Sequence, residues 1–251
     1  MHHDDLDGPS WDGPRRDARR RILICSTPRS GSYLLCRQMI NAGLGLPTEY
    51  LRHATRTALS ERRAIEAGDD AAYFDEVEAR RTSGIGVFAA KVQWGHYQRH
   101  RGLRERWLDR ADLIVFLYRH DLIAQAVSWQ VSLATGLWSF DDTPGPRAAD
   151  VTLEPSEFTL RLAAILREHN RAWNALIVES GRPALAVRYE TYVGAQADLL
   201  RELARRVGLG DGDWTVPPAE ERDNRLPAEV EEARVRLRAH ARNAAVAQAP
   251  A

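Results

Sequence analysis

Arg29, Ser30, Gly31 and Ser32 form a short polar run whose chemistry suits a phosphate. Arginine supplies a forked cation, the serines supply hydroxyl donors, and glycine lets a ligand come close to the backbone. The run stands between a β-branched apolar stretch, Ile22 to Cys25, and a helical stretch that begins near Ser30 and ends by Gly43. The first turn of a helix leaves backbone N–H groups unpaired and points its positive dipole end at whatever precedes it. Strand, polar loop and helix in succession therefore predict an anion-binding loop, with Tyr33 in the helix's first turn. The same Ser-Gly-Ser also suits an ordinary strand-to-helix turn. It is not a nucleotide-triphosphatase loop, which needs Gly-Lys-Ser/Thr so that a lysine reaches the β/γ-phosphates and a hydroxyl holds magnesium. Here Ser32 and Tyr33 follow Gly31 directly.

Lys91 is the only lysine in the chain, and arginine carries every other permanent positive charge. Lysine is a compact point charge on a flexible stem, which arginine cannot reproduce in a tight site. Lys91 lies near the end of the apolar run Ile85 to Val92, Arg119 follows the run Leu113 to Tyr118, and Tyr189 ends the run Ala184 to Tyr189. Short continuous apolar runs are the pattern of strands covered on both faces. Helices are predicted between them: Asp121 to Leu137 from an Asp cap, a long one from Ser156 to Gly181, and one around Leu199 to Val207 that stops at Gly208. A final charged helix opens at Pro227. The alternation predicts an α/β fold, a doubly wound parallel sheet flanked by helices. Ligands of such sheets bind outside the carboxyl ends of the strands. The polar loop, Lys91, Arg119 and Tyr189 would all converge there.

At 251 residues and 44% hydrophobic content, one core of useful size is expected. Residues 1–20 are polar and predicted disordered, 21–245 form a single domain, and 246–251 a frayed tail. Lys+Arg 35 balance Asp+Glu 35, so charge gives no case for nucleic acid or an acidic membrane surface. No apolar run approaches the ~20 residues of a membrane span, and no signal-peptide core is present. Cys25 and Cys36 have neither metal nor redox spacing and read as reduced, buried thiols of a cytoplasmic protein. His96 and His100 are spaced i, i+4, but no His-Glu-x-x-His glutamate or cysteine ligand accompanies them, so no metal is expected.

The stretches Pro28-Arg-Ser-Gly-Ser-Tyr-Leu-Leu35, Lys91-Val-Gln-Trp94 and Tyr118-Arg-His-Asp121 through Trp129 resemble sulfotransferases that use 3′-phosphoadenosine 5′-phosphosulfate. Within these, the chain is most similar to the bacterial family that includes mycobacterial trehalose 2-sulfotransferase, from about Ile22 to the Arg222 region. The resemblance implies a P-loop NTPase-like sulfotransferase fold that needs no metal, and a possible homodimer. It implies that Arg29, Ser30, Gly31, Ser32 and Tyr33 hold the 5′-phosphosulfate and that Arg119 and Ser128 hold the 3′-phosphate. Tyr189 would lie near the adenine. Arg222 and Arg225 would close over the 3′-phosphate, although this segment matches the family's basic loop poorly. Lys91 would steady the transferring oxygens. Glu49, in Leu46-Pro-Thr-Glu-Tyr50, would act as general base toward a hydroxyl of a sugar, glycolipid precursor or polyhydroxy metabolite, leaving adenosine 3′,5′-diphosphate.

Tyr50, Arg52, His53, Gln93, Trp94, Trp129 and Trp138 are the expected acceptor residues, with Ser139 to Asp150 as a surface loop or lid over them. His53 and His120 are further candidates for the base. Two other readings stay open: a magnesium-dependent nucleotide kinase on the related fold, and a nucleotide-binding protein without catalysis.

Overall fold

The computed structural model describes residues 6, 8–100, 102–138, 153, 155–210, 212–219, 226 and 228–247. In chain order its elements are β1 (Arg20–Ser26), α1 (Ser32–Asn41), α2 (His53–Arg62), α3 (Asp70–Arg81), β2 (Val87–Gln93), α4 (Trp94–Arg99) and a π-helical turn (Arg104–Leu108). They continue with β3 (Leu113–Tyr118), α5 (Leu122–Thr135), α6 (Ser156–Ser180), β4 (Ala184–Arg188), α7 (Tyr189–Tyr192), α8 (Gln196–Arg206) and α9 (Ala228–Ala247).

The strands form one parallel sheet in the order β2-β1-β3-β4. Side chains alternate between the faces of a strand. Ile22 and Ile24 join Val87, Ala89, Leu113 and Val115 on one face, packed against Leu34 and Met39 of α1 and Leu200 and Leu203 of α8. Leu23 and Cys25 join Phe88, Ala90 and Ile114 on the other, packed against Phe74 of α3, Trp107 of the π turn and Trp173 of α6. Burial on both faces explains the unbroken apolar runs of β1, β2 and β3. β4 differs: like β2 it pairs on one side only, but Ala184, Ala186 and Arg188 are exposed. Tyr189, expected at its end, instead begins α7.

β1 lies between β2 and β3, so the connections that leave β1 and β3 diverge and open a crevice at the carboxyl edge. Ser26 pairs with Gln93 on one side and Leu117 on the other, which brings the three strand ends level.

Part of the segment over residues 1–20 is described, and it packs against the domain. Leu6 is buried, and its carbonyl accepts from Arg81. The Asp12 side chain is almost fully buried and meets Arg62 at 3.0 Å and Arg81 at 2.8 Å, with Arg63 beside them. Buried charges persist when paired, and these partners lie on α2 and α3 or just past them, too distant in sequence for local composition to reveal. Cys25 and Cys36 are free and buried, and burial pushes the Cys36 thiol up to about 12. Among the described residues no helix is long and apolar enough to cross a membrane.

Candidate active site

The polar loop after β1 is held from beneath by three buried side chains. Trp173 donates its indole N–H to the Ser26 carbonyl at 2.9 Å. Gln125 donates to Thr27 Oγ1 at 2.9 Å and to the Pro28 carbonyl at 2.6 Å. The Tyr192 hydroxyl donates to the Gly31 carbonyl at 2.6 Å. Arg29 has a left-handed backbone (φ 61°), a conformation disfavoured for a residue with a Cβ. Gly31 also has positive φ (88°), and a Cβ there would clash with the Tyr189 ring. The expectation that Gly31 admits a ligand is thus sharpened: glycine is needed here for the turn and for Tyr189 packed behind it. No side chain caps α1, leaving its first-turn N–H groups beside Arg29 and Ser32.

At the end of β2, Lys91 is buried and donates to Glu49 Oε1 at 2.9 Å. Gln93 donates to the same oxygen at 3.1 Å. The Lys91 backbone N–H bonds the Thr48 carbonyl at 2.9 Å, which fixes the Glu49 loop to the strand. Burial opposes the charge on Glu49, but the Lys91 ammonium, His96 and the two hydrogen bonds outweigh it and hold the carboxyl well below the usual range.

At the end of β3, Arg119 lies across the Tyr189 ring at 4.7 Å and stands 3.7 Å from Glu190. Its Nε is buried with no hydrogen-bond partner among the described residues. Burial lowers its pKa, against the raising effect of Glu190 and Asp121. Ser128, on α5, accepts from Arg29 Nε at 3.0 Å, and the other end of the Arg29 fork donates to the Trp138 carbonyl. All three strand ends open on one cavity of about 780 Å³, a volume in the range of small-molecule sites.

The profile of the Stf0 sulphotransferase family matches residues 21–229. The chain belongs to the Stf0 sulphotransferase family. No curated protein sequence matches it. Two solved structures are similar to this family member. One is a sulfotransferase from Alicyclobacillus acidocaldarius, at 13% identity and TM-score 0.47, covering 88% of this chain and 92% of that one. The other is the sulfotransferase domain of the Synechococcus PCC 7002 olefin synthase, at 19% identity and TM-score 0.44, covering 91% and 97%.

In this Stf0 sulphotransferase the cavity wall brings together Arg29, Gly31, Ser32, Tyr33, Glu49, Arg52, Lys91, Gln93, Trp94, Arg119, Ser128, Trp129 and Trp138. Five expected residues are placed elsewhere, among them His120, which is exposed just after Arg119 and off the wall. Ser30 is buried behind the loop, its hydroxyl without a partner among the described residues. Tyr50 is fully buried between Phe88 and Trp107, and its hydroxyl donates to the Leu46 carbonyl. His53 is exposed at the start of α2, off the wall. Tyr189 backs Gly31 and carries Arg119 on its face. Arg222, Arg225 and the Ser139 to Asp150 stretch lie outside the described residues.

Other wall residues went unanticipated. His96 is buried beside the Glu49–Lys91 pair; burial lowers its pKa, and its Nδ1 has no partner among the described residues. His169 of α6 and Arg234 of α9 also reach the wall. The i, i+4 spacing of His96 and His100 raised only the question of a metal, which is not expected there. His100 instead faces Arg56 at 3.3 Å and Asp70 at 3.9 Å. Gln125, Trp173 and Tyr192, which hold the loop, carry no local signal, because their partners are 97 or more residues away.

Proposed function

We propose that this protein transfers the sulfuryl group of 3′-phosphoadenosine 5′-phosphosulfate to a hydroxyl of a sugar, glycolipid precursor or polyhydroxy metabolite. The observation that carries the reading is the meeting of three anion-binding groups and one carboxylate–lysine pair on a single cavity. The donor set fits such a nucleotide. Arg29, Ser32 and the first-turn N–H groups of α1 would take the 5′-phosphosulfate, a fixed array of donors where charge grows as the bond breaks. Arg119 and Ser128 would take the 3′-phosphate, a fork and a hydroxyl for a dianion. The bound donor supplies an activated sulfuryl group and a leaving group that is already a stable anion, so the protein's task is alignment and charge stabilisation.

Glu49 is the proposed general base. In the resting site its proton affinity is low, because Lys91 and Gln93 both bind Oε1. When Lys91 turns to the sulfuryl oxygens, Glu49 loses its counter-charge, and burial then raises its affinity for the acceptor's proton. One buried lysine thereby serves both halves of the transfer.

Calorimetry without magnesium tests the donor assignment. Adenosine 3′,5′-diphosphate is expected to bind at least tenfold more tightly than ADP. Equal or ADP-favoured binding would overturn the reading and bring the kinase alternative forward. Tight binding with no transfer to any hydroxyl in a broad screen would favour the non-catalytic one.

A further inference from the structure

His96 is a buried imidazole on the cavity wall, only 8% exposed. It lies on α4, which starts directly after β2, and Trp94 and Tyr97 fix that short helix by packing on Trp173 at 5.0 and 5.6 Å. Its Nδ1 is buried with no hydrogen-bond partner among the described residues. An unpartnered buried polar atom destabilises a fold, so where one persists beside a reactive pair it points to a task. The charged and titratable groups around the ring are Glu49 from its loop, Lys91 from β2, Arg99 from α4 and His100 at that helix's end. Burial lowers the pKa of the ring; Glu49 works against this, and Arg99, Lys91 and His100 add to it. At neutral pH the ring is therefore an uncharged base.

Sulfuryl transfer creates a proton that the site must dispose of. As the acceptor oxygen bonds to sulfur, its O–H bond breaks, and the sulfur–oxygen bond to the 5′-phosphate breaks with its electron pair leaving on the nucleotide. The proton goes to Glu49. Lys91 and Gln93 both donate to Oε1, so the proton falls to Oε2. A carboxyl held so far below the usual range by Lys91 cannot keep a proton once the lysine returns. Nucleotide and sulfated product still fill the cavity at that moment and exclude water. The proton needs a neighbour on the wall.

Resting on the sulfotransferase reading, we infer that His96 is the second station of the proton: Glu49 takes it from the acceptor hydroxyl and hands it to the His96 ring. His96 acts through Glu49, not on the acceptor itself. The imidazolium formed there releases its proton to water when the products leave, because burial and the surrounding cations disfavour the charged ring. That release returns the Glu49–Lys91 pair to its resting state for the next turnover.

The experiment follows release of adenosine 3′,5′-diphosphate from the donor by the full chain, with glycerol as a generic hydroxyl source. His96→Gln, which cannot carry the proton, is expected to lower turnover about tenfold or more and to leave nucleotide affinity within about twofold. His96→Ala should lose as much. Added imidazole should raise its turnover about threefold or more, while pyrazole, a ring of the same size and far weaker basicity, should not. Unchanged turnover in folded His96→Gln overturns the inference. So does rescue of His96→Ala by both rings, which would report a filled hole, and so does rescue by neither. A second readout needs no turnover: with isotope-labelled histidine, the His96 resonance should titrate at lower pH in Glu49→Gln, because the carboxylate that favours the charged ring is gone. An unmoved titration overturns the inference by itself. Donor left intact by the parent, with glycerol and throughout a broad hydroxyl screen, is a different result: it overturns the transfer reading and the proton path with it.

Discussion

The β2 end and the β3 end of the cavity are built on opposite electrostatic plans. At β2 buried Lys91 meets Glu49 at 2.9 Å, with Gln93 on the same oxygen, so the charges of this pair cancel inside the protein. At β3 the cations outnumber the carboxylates among the described residues: Arg119, Arg234, Arg238 and Arg242 gather around Asp121, Glu190 and Glu231. A neutral pair suits a place where charge must appear and vanish during reaction. An uncompensated cationic end suits a ligand that brings its own permanent negative charge. On the proposed function, chemistry belongs to β2 and binding to β3, and each proposal can be broken separately.

The largest effects are expected at β2. Glu49→Gln removes the proton acceptor and should lower turnover about 10³-fold, within the span of general-base contributions. Normal turnover with an unaltered pH profile would remove Glu49 from the reaction. Lys91→Ala should cost about 10²-fold, and it should also change the pH profile. Without the lysine, burial dominates, and the Glu49 pKa moves up from its depressed value. The base is then protonated at higher pH than in the parent, so an acid limb should enter the ordinary carboxylate range. A slower enzyme whose profile is unmoved would mean that the pair is not coupled in catalysis.

Next in size is Arg119→Ala at the β3 end, with about tenfold weaker binding of adenosine 3′,5′-diphosphate and little change for ADP, which lacks the 3′-phosphate. Titration at rising ionic strength sharpens the contrast, because exposed charge is screened and a buried pair much less so. The parent's nucleotide affinity should fall with salt, and that slope should flatten in the variant. Equal loss for both nucleotides would place Arg119 in the scaffold.

What was legible in the sequence follows the range of the interactions. β1, β3 and the start of α5 are local events: apolar runs between buried faces, and an aspartate cap whose carboxylate accepts from Ala124 at 2.8 Å. Lys91 and Arg119 could be placed at strand ends because a strand's direction fixes where its last residue lies. The apolar character of β4 did not reveal an edge strand, since strand order is a property of the whole sheet. Tyr50 shows a further limit. Aromatic residues beside a candidate base read equally well as a pocket or a core, and only Phe88 and Trp107, 38 and 57 positions on, decide for the core. His96 was visible as a residue but not as a neighbour of Glu49, because β2 and its loop bring them together. α2 and α3 lack a strong apolar stripe, and arginine–carboxylate pairs such as Asp12 with Arg62 and Arg81 tie them down.

The smallest effect separates the β3 end's binding role from its structural one. Asp121 caps α5 and also receives Arg238 at 2.6 Å and Arg242 at 2.5 Å from α9. Burial works against its charge, but the Ala124 N–H and the two guanidiniums prevail and bring its carboxyl down to about 2. A carboxyl depressed in the folded state stabilises the fold above its unfolded pKa, and that contribution is lost as pH falls through the folded value. The window runs from about pH 4 down to about pH 2. Asp121→Ala should cost about 1 kcal/mol at neutral pH through the lost cap, and Asp121→Asn, itself a good cap, should cost less. Both should flatten the acid side of the stability curve, read by urea unfolding at stepped pH. Because neither removes Arg119, nucleotide affinity should fall by no more than about twofold in the Asn variant. A tenfold fall there would show that the arginines of α9 need Asp121 to reach the ligand, and that cap and clamp at this end are one device.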